Sequence, residues 1–191
     1  MADLALHERF RIRDWLRFLL FFGAFFAPAF LGMRTAGFAG TAISWVVLAA
    51  LFFGLGLPAI LCRHCPHYAQ KGRFIICPSA VGPPKLRGYC SQPVSRGEKA
   101  LFAAGFGAIL VFPFPFLIKG RAFLWAAAAL LGAGVFILSE LKFSCSKCLN
   151  FSCLLNRVPA EIMAAYESRQ KCGTGAEAEN EQADETLRPM T

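Results

Sequence analysis

Hydrophobic and polar positions along the chain fall into a coarse alternation. Four long stretches carry no charge, and basic or cysteine-rich connections separate them. The first runs from Phe18 to Met33, with Trp15 and Leu16 as an interfacial shoulder. The second lies between Arg34 and Arg63 and is most apolar from Ile43 to Leu61. The third is Ala100 to Ile118, and the fourth is Ala122 to Ser139. At about 1.5 Å per residue, each predicts a helix that reaches most of the way across a hydrocarbon core of about 30 Å. The first and fourth are short for the task, so snorkelling arginines or local thinning of the bilayer must make up the difference. Only Lys119, Gly120 and Arg121 join the third run to the fourth, which predicts a tight antiparallel hairpin. A re-entrant pair, helped by Pro113 and Pro115, is the competing reading. Pro28, Pro58, Pro113 and Pro115 predict kinks, and Ala126–Ala129 with Gly132–Gly134 predict a face that allows close helix approach.

Composition sharpens this picture. Of 191 residues, 56% are hydrophobic, 20 are Phe and only 17% are charged. That leaves too little polar surface to cover a soluble fold of this size. In lipid every backbone polar group must be paired internally, and helices do this within each segment. The fold class expected is therefore all-α: a polytopic membrane protein with a bundle of four transmembrane helices. The first run follows Arg9, Arg11, Arg13 and Arg17, as a signal peptide would. No convincing small-x-small cleavage site precedes Arg34 and Thr35, so it reads as a retained helix.

The net charge of +8 brings nucleic acid to mind, but the basic residues sit between apolar runs rather than on one face. The positive-inside rule accounts for them, and no nucleic-acid partner is expected. The N-terminal segment has four, and the loop from Cys62 to Lys99 has seven: Arg63, Lys71, Arg73, Lys85, Arg87, Arg96 and Lys99. The opposite face has Arg34, Lys119 and Arg121, whereas six more follow the fourth run. This bias predicts a multi-pass protein of the cell membrane with both termini and the middle loop in the cytoplasm. The expected organisation is a cytoplasmic segment over 1–17, a membrane domain over 18–139 that includes the cysteine-rich loop 62–99, a cysteine-rich juxtamembrane segment over 140–172, and a disordered acidic tail over 173–191. Within the third of these, Pro159 opens a short amphipathic helix whose Ile162, Met163 and Tyr166 share a face.

The chemistry lies in the cysteines. Of eight, Cys62, Cys65, Cys77 and Cys90 occupy the middle loop; Cys145, Cys148 and Cys153 follow the fourth run, and Cys172 lies in the tail. All are expected on one side, where a reducing cytoplasm disfavours structural disulfides. Two C-x2-C knuckles, Cys62/Cys65 and Cys145/Cys148, stand at the ends of the even-numbered helices. Such a turn aims both sulfurs at one point, and a bundle can bring two knuckles around a single ion. The expected cofactor is zinc or an iron–sulfur cluster, with Cys62, Cys65, Cys77, Cys90, Cys145, Cys148 and Cys153 as candidate ligands. Cys65-Pro66 and Cys77-Pro78 resemble the Cys-Pro pairs near iron–sulfur clusters. His64 and His67 are further possible ligands, or plain interfacial polar residues. Asn150, Ser152 and Asn156 are placed to hydrogen-bond around thiolates. Lys147, Arg157, Arg63 and Lys71 are placed to offset their charge, and Gly82-Pro83-Pro84-Lys85 predicts a rigid turn over the site. Acylation of Cys62 and Cys145 is the blander account, which seven cysteines in two short segments exceed.

With zinc the site would be structural. With iron and sulfur it would pass electrons to a membrane quinone or a partner subunit. Whether the protein is an enzyme stays open. The layout is similar to that of the disulfide-generating membrane oxidoreductases, which combine four helices, a C-x2-C pair and a second cysteine pair. That resemblance implies a quinone-coupled thiol–disulfide exchange in which Cys62 and Cys65 are active and Cys77 or Cys90 resolves. Those enzymes work at the opposite membrane face. A third reading is a structural or assembly subunit of a membrane complex. No charged residue lies within the four runs, which counts against proton-coupled transport.

Overall fold

The computed structural model describes residues 6–7, 10–77 and 80–169. The acidic tail and Cys172 lie outside the described residues. The chain divides into two units, Ala5–Arg157 and a second one that contains Val158 onward. Four helices in the first unit are long and apolar enough to cross a membrane: α1 (Ile12–Thr35), α2 (Ala39–His64), α3 (Arg96–Lys119) and α4 (Phe123–Lys147). At 24 to 26 residues each spans about 36–39 Å, longer than the hydrocarbon core. The shortness expected of the first and fourth is thus corrected. Charged Arg13, Asp14 and Arg17 are taken into the first turns of α1, and α4 continues past Ser139 through Glu140 and Lys142. Long charged side chains at a helix end reach the interface without ending the helix.

The α1–α4 pair is the most intimate. Phe25, Ala29, Gly32 and Met33 form the buried stripe of α1, and Ala129, Gly132, Ala133 and Phe136 that of α4, both at the helical three-to-four spacing. A Cβ on Gly132 would overlap the Ala24 carbonyl, and one on Gly32 would overlap the side chains of Trp125 and Leu117. The two backbones therefore approach as small-residue membrane interfaces do. Phe22 and Phe26 stack at 4.0 Å, and Phe26 in turn stacks on Trp45 of α2 at 4.8 Å. Outward-facing Leu20, Leu124, Leu131 and Leu138 are two-thirds or more exposed, as suits side chains dissolved in lipid.

The prolines act through the carbonyls they cannot serve. Pro113 has no N–H for Ile109 four residues back. The indole Nε1 of buried Trp45 donates to that carbonyl at 3.0 Å, re-satisfying it from a neighbouring helix. The α-helix breaks only at Phe112 before resuming at Pro113. In α2 a π-helical segment, Phe52–Gly56, precedes Pro58, and a second one, Glu140–Ser144, lies in α4. The expected tight hairpin is present: α3 ends at Lys119 and α4 begins at Phe123, with Arg121 at φ 53°. At the other end, Ser95 and Glu98 form a reciprocal capping box that starts α3.

The middle connection is more ordered than a loop. Cys62–His64 is a 3-10 turn, Pro66–Ala69 is one helical turn, and strands β1 (Phe74–Cys77) and β2 (Ala80–Pro84) pair antiparallel. The turn expected at Gly82-Pro83-Pro84 is thus corrected, because these residues form part of β2. In the second unit, helix α5 covers 160–169, with the Ile162 and Met163 N–H groups donating to Pro159 O. Ile162, Met163 and Tyr166 are the half-buried positions of α5, the face that the spacing predicts.

Candidate metal centre

The two knuckles are built alike. Each is a 3-10 turn at the end of a helix that contains a π-helical segment, Cys62–His64 closing α2 and Cys145–Lys147 closing α4. In each, the second cysteine leaves the turn in extended conformation, Cys65 at ψ 140° and Cys148 at ψ 132°. Residues three apart eclipse in 3-10 geometry, so the two sulfurs of a knuckle share one side. The π and 3-10 turns carry α4 from Ser139 directly into the second knuckle.

Hydrogen bonds, the central one buried, tie one knuckle to the other. Asn150 Nδ2 donates to Leu61 O at 2.9 Å, immediately before Cys62. Ser152 Oγ donates to Asn150 Oδ1 at 3.1 Å and accepts from Val94 N at 3.0 Å, which draws the start of α3 to the same place. Asn156 Nδ2 donates to the carbonyls of Cys148 and Asn150, both at 3.0 Å, and Arg157 N closes the segment on Cys145 O at 3.0 Å. The polar residues that the sequence places beside the second cluster thus organise its backbone and its link to α2. One of them also reaches sulfur: Asn150 N donates to Cys148 Sγ at 3.4 Å.

The sulfurs gather from three segments. Burial pushes the Cys65 thiol well up, and Cys148, Cys77 and Cys153 push it in the same direction. Burial likewise takes Cys148 up to about 12, with Cys153 and Cys77 adding to the rise and the Asn150 N–H opposing it. Burial raises Cys153 as well, while Lys99 opposes. Cys62 falls within the same electrostatic neighbourhood as Cys65, Cys77, Cys148 and Cys153, and Cys145 lies near Cys148 and Cys153. Cys77 arrives on β1, whose pleat turns Ile75 and Cys77 inward. Cys90 is tethered by its main chain, its N–H donating to Arg63 O at 2.9 Å. As the side chains stand, no three His, Cys, Asp or Glu groups among the described residues close tightly enough to hold an ion.

The histidines hold the scaffold. His64 Nδ1 lies 2.6 Å from Gln92 O, and its Nε2 lies 3.1 Å from Arg63 Nε. His67 Nε2 lies 2.7 Å from His7 O, and its Nδ1 lies 3.3 Å from Gln70 Nε2. With both nitrogens engaged, neither has a lone pair for a metal in this arrangement. Arg63, expected to offset thiolate charge, pairs with Glu98 at 2.6 Å. Pro66, in one of the Cys-Pro pairs, opens the one-turn helix at Cys65. Pro78 lies outside the described residues.

A polar recess between α1 and α4 escaped the sequence reading. His7, Asp14, Arg17, Ser139, Glu140 and Ser144 line it beside Phe18, Phe21 and Phe143, around a cavity of about 10 Å³, room for about one water. Asp14 lies 3.8 Å from His7 and 3.7 Å from Arg17. Burial lowers the His7 imidazole against the pull of Asp14. Its signals in the sequence are an acid between Arg13 and Arg17 and a glutamate just beyond the apolar run that ends at Ser139. Comparison with known protein families, with curated sequences and with solved structures returned no match.

Proposed function

We propose that this chain is a multi-pass protein of the cell membrane that holds zinc or an iron–sulfur cluster on thiolates from both knuckles and β1, at the cytoplasmic face. Cys62, Cys65, Cys77, Cys148 and Cys153 are the principal ligands, and Cys90 and Cys145 complete the candidate set. The observation that carries this reading is the buried Asn150–Leu61 bond, which holds cysteines more than eighty residues apart in sequence within electrostatic reach of one another. Holding an ion requires these side chains to rotate inward on the scaffold, since as they stand no three groups among the described residues close on one point. Burial raises the pKa of the Cys65 and Cys148 thiols, so a cation bound there would supply the charge compensation that their thiolates need.

The orientation rests on the excess of arginine and lysine on the cysteine side over Arg34, Lys119 and Arg121 on the other. With zinc the site pins the middle connection to the bundle; with an iron–sulfur cluster it exchanges electrons with a membrane quinone or a partner subunit. The alternative of quinone-coupled thiol–disulfide exchange is weakened by the same burial, since a reactive cysteine needs a depressed pKa and access. Metal analysis after anaerobic purification is the test. Stoichiometric zinc, or iron with a visible band bleached by dithionite, supports the proposal. Metal-free protein with its thiols fully labelled overturns it.

A further inference from the structure

The β-hairpin presents an apolar face on the outside of the fold. Antiparallel sheets that face water alternate apolar-in with polar-out. Here the inward side of β1 carries Ile75 and Cys77, yet the outward side carries Phe74 and Ile76, 57% and 52% exposed. Register places Val81 opposite Ile76 and Pro84 opposite Phe74, so the outward face of both strands is apolar. Strand β2 runs beside the Phe52–Gly56 segment of α2, roughly two to three turns before that span ends at His64. The hairpin therefore folds back against the side of a transmembrane helix, below its polar end.

We propose that the hairpin lies in the interfacial layer of the same bilayer, with Phe74, Ile76 and Val81 among the upper acyl chains and anionic phospholipid headgroups on Lys71, Arg73 and Arg87. Charge complementarity supports this occupant. All three cations are exposed, and no acidic residue occurs from Cys62 to Gly97. The backbone is compatible with an interfacial position too. An open strand edge is too costly in the hydrocarbon centre, but the interface still supplies water to main-chain groups. Pro83 and Pro84 further reduce the number of N–H groups that the edge of β2 would have to satisfy. The proposal does not rest on the metal reading.

The test uses full-length Phe74→Trp in nanodiscs of phosphatidylcholine with or without phosphatidylglycerol, read as the difference from the parent protein. Insertion predicts blue-shifted emission, loss of intensity to nitroxide lipids labelled near the carbonyl rather than the chain end, and protection from aqueous acrylamide. Neutralising Lys71, Arg73 and Arg87 to Gln should lower the local preference for the anionic lipid by about fivefold per charge. Ile76→Trp repeats the measurement should the first variant misfold. Emission quenched by acrylamide and untouched by lipid nitroxides overturns the proposal. Protection that grows with protein concentration without lipid quenching does so as well, and assigns the face to a second copy of the chain.

Discussion

The side-chain amide of Asn150 donates to the main-chain carbonyl of Leu61 across 89 residues of sequence, joining the end of α2 to the segment that follows α4. Asn150→Leu preserves approximate size but leaves that buried carbonyl bare, a cost of about 1–3 kcal/mol. The expected outcome is a lower thermal midpoint in detergent, together with loss of bound metal. A variant that melts earlier yet keeps its full metal content would separate the bond from the site.

Cys65→Ser and Cys148→Ser are each expected to abolish stoichiometric metal while four spans remain. Metal content and the size-exclusion profile check this side by side. Retention of the ion in both variants would remove these knuckles from the ligand set.

Proton linkage gives two expectations. Thiols must lose their protons to bind a cation, so affinity should strengthen as pH rises across the neutral range, by about tenfold per unit for each proton released. In the metal-free protein the sign is reversed. The Cys148 thiol is held from 9.0 up to about 12, so the stability it contributes is complete below pH 9 and declines as pH climbs towards 12. Chemical unfolding between these limits, with and without metal, measures the difference.

Gly132→Ala places a methyl group against the Ala24 carbonyl, whereas Gly134→Ala meets nothing within 4 Å. The first should lower the thermal midpoint of the detergent-solubilised protein and the second should leave it unchanged. Equal midpoints would show that α1 and α4 do not pack backbone to backbone.

The four spans were legible in the sequence because an uncharged run of spanning length has few alternatives. Their ends were not, since Asp14, Arg17 and Glu140 interrupt the apolar pattern without interrupting helical hydrogen bonding. The convergence of Cys62, Cys65, Cys148 and Cys153 followed from even-numbered helices ending on one side. The hairpin did not, because Phe74–Cys77 is too short to display a period and Pro83-Pro84 reads as a turn. Asn150 and Ser152 were legible as polar neighbours of cysteine; that their partners are Leu61 and Val94 depends on tertiary contact. The engagement of His64 and His67 with Gln92 and His7 was equally hidden, as no spacing rule connects them.

Within the bundle, Trp45 and Pro113 behave as one inheritance unit. The proline creates a vacancy at Ile109 O, and the indole on another helix fills it. Trp45→Phe should therefore harm the parent protein yet matter little once Pro113→Ala restores the helix's own donor, a non-additivity of at least roughly 0.5 kcal/mol. A chain that adopts this bundle and drifts away from one of the two residues is expected to have relinquished the other.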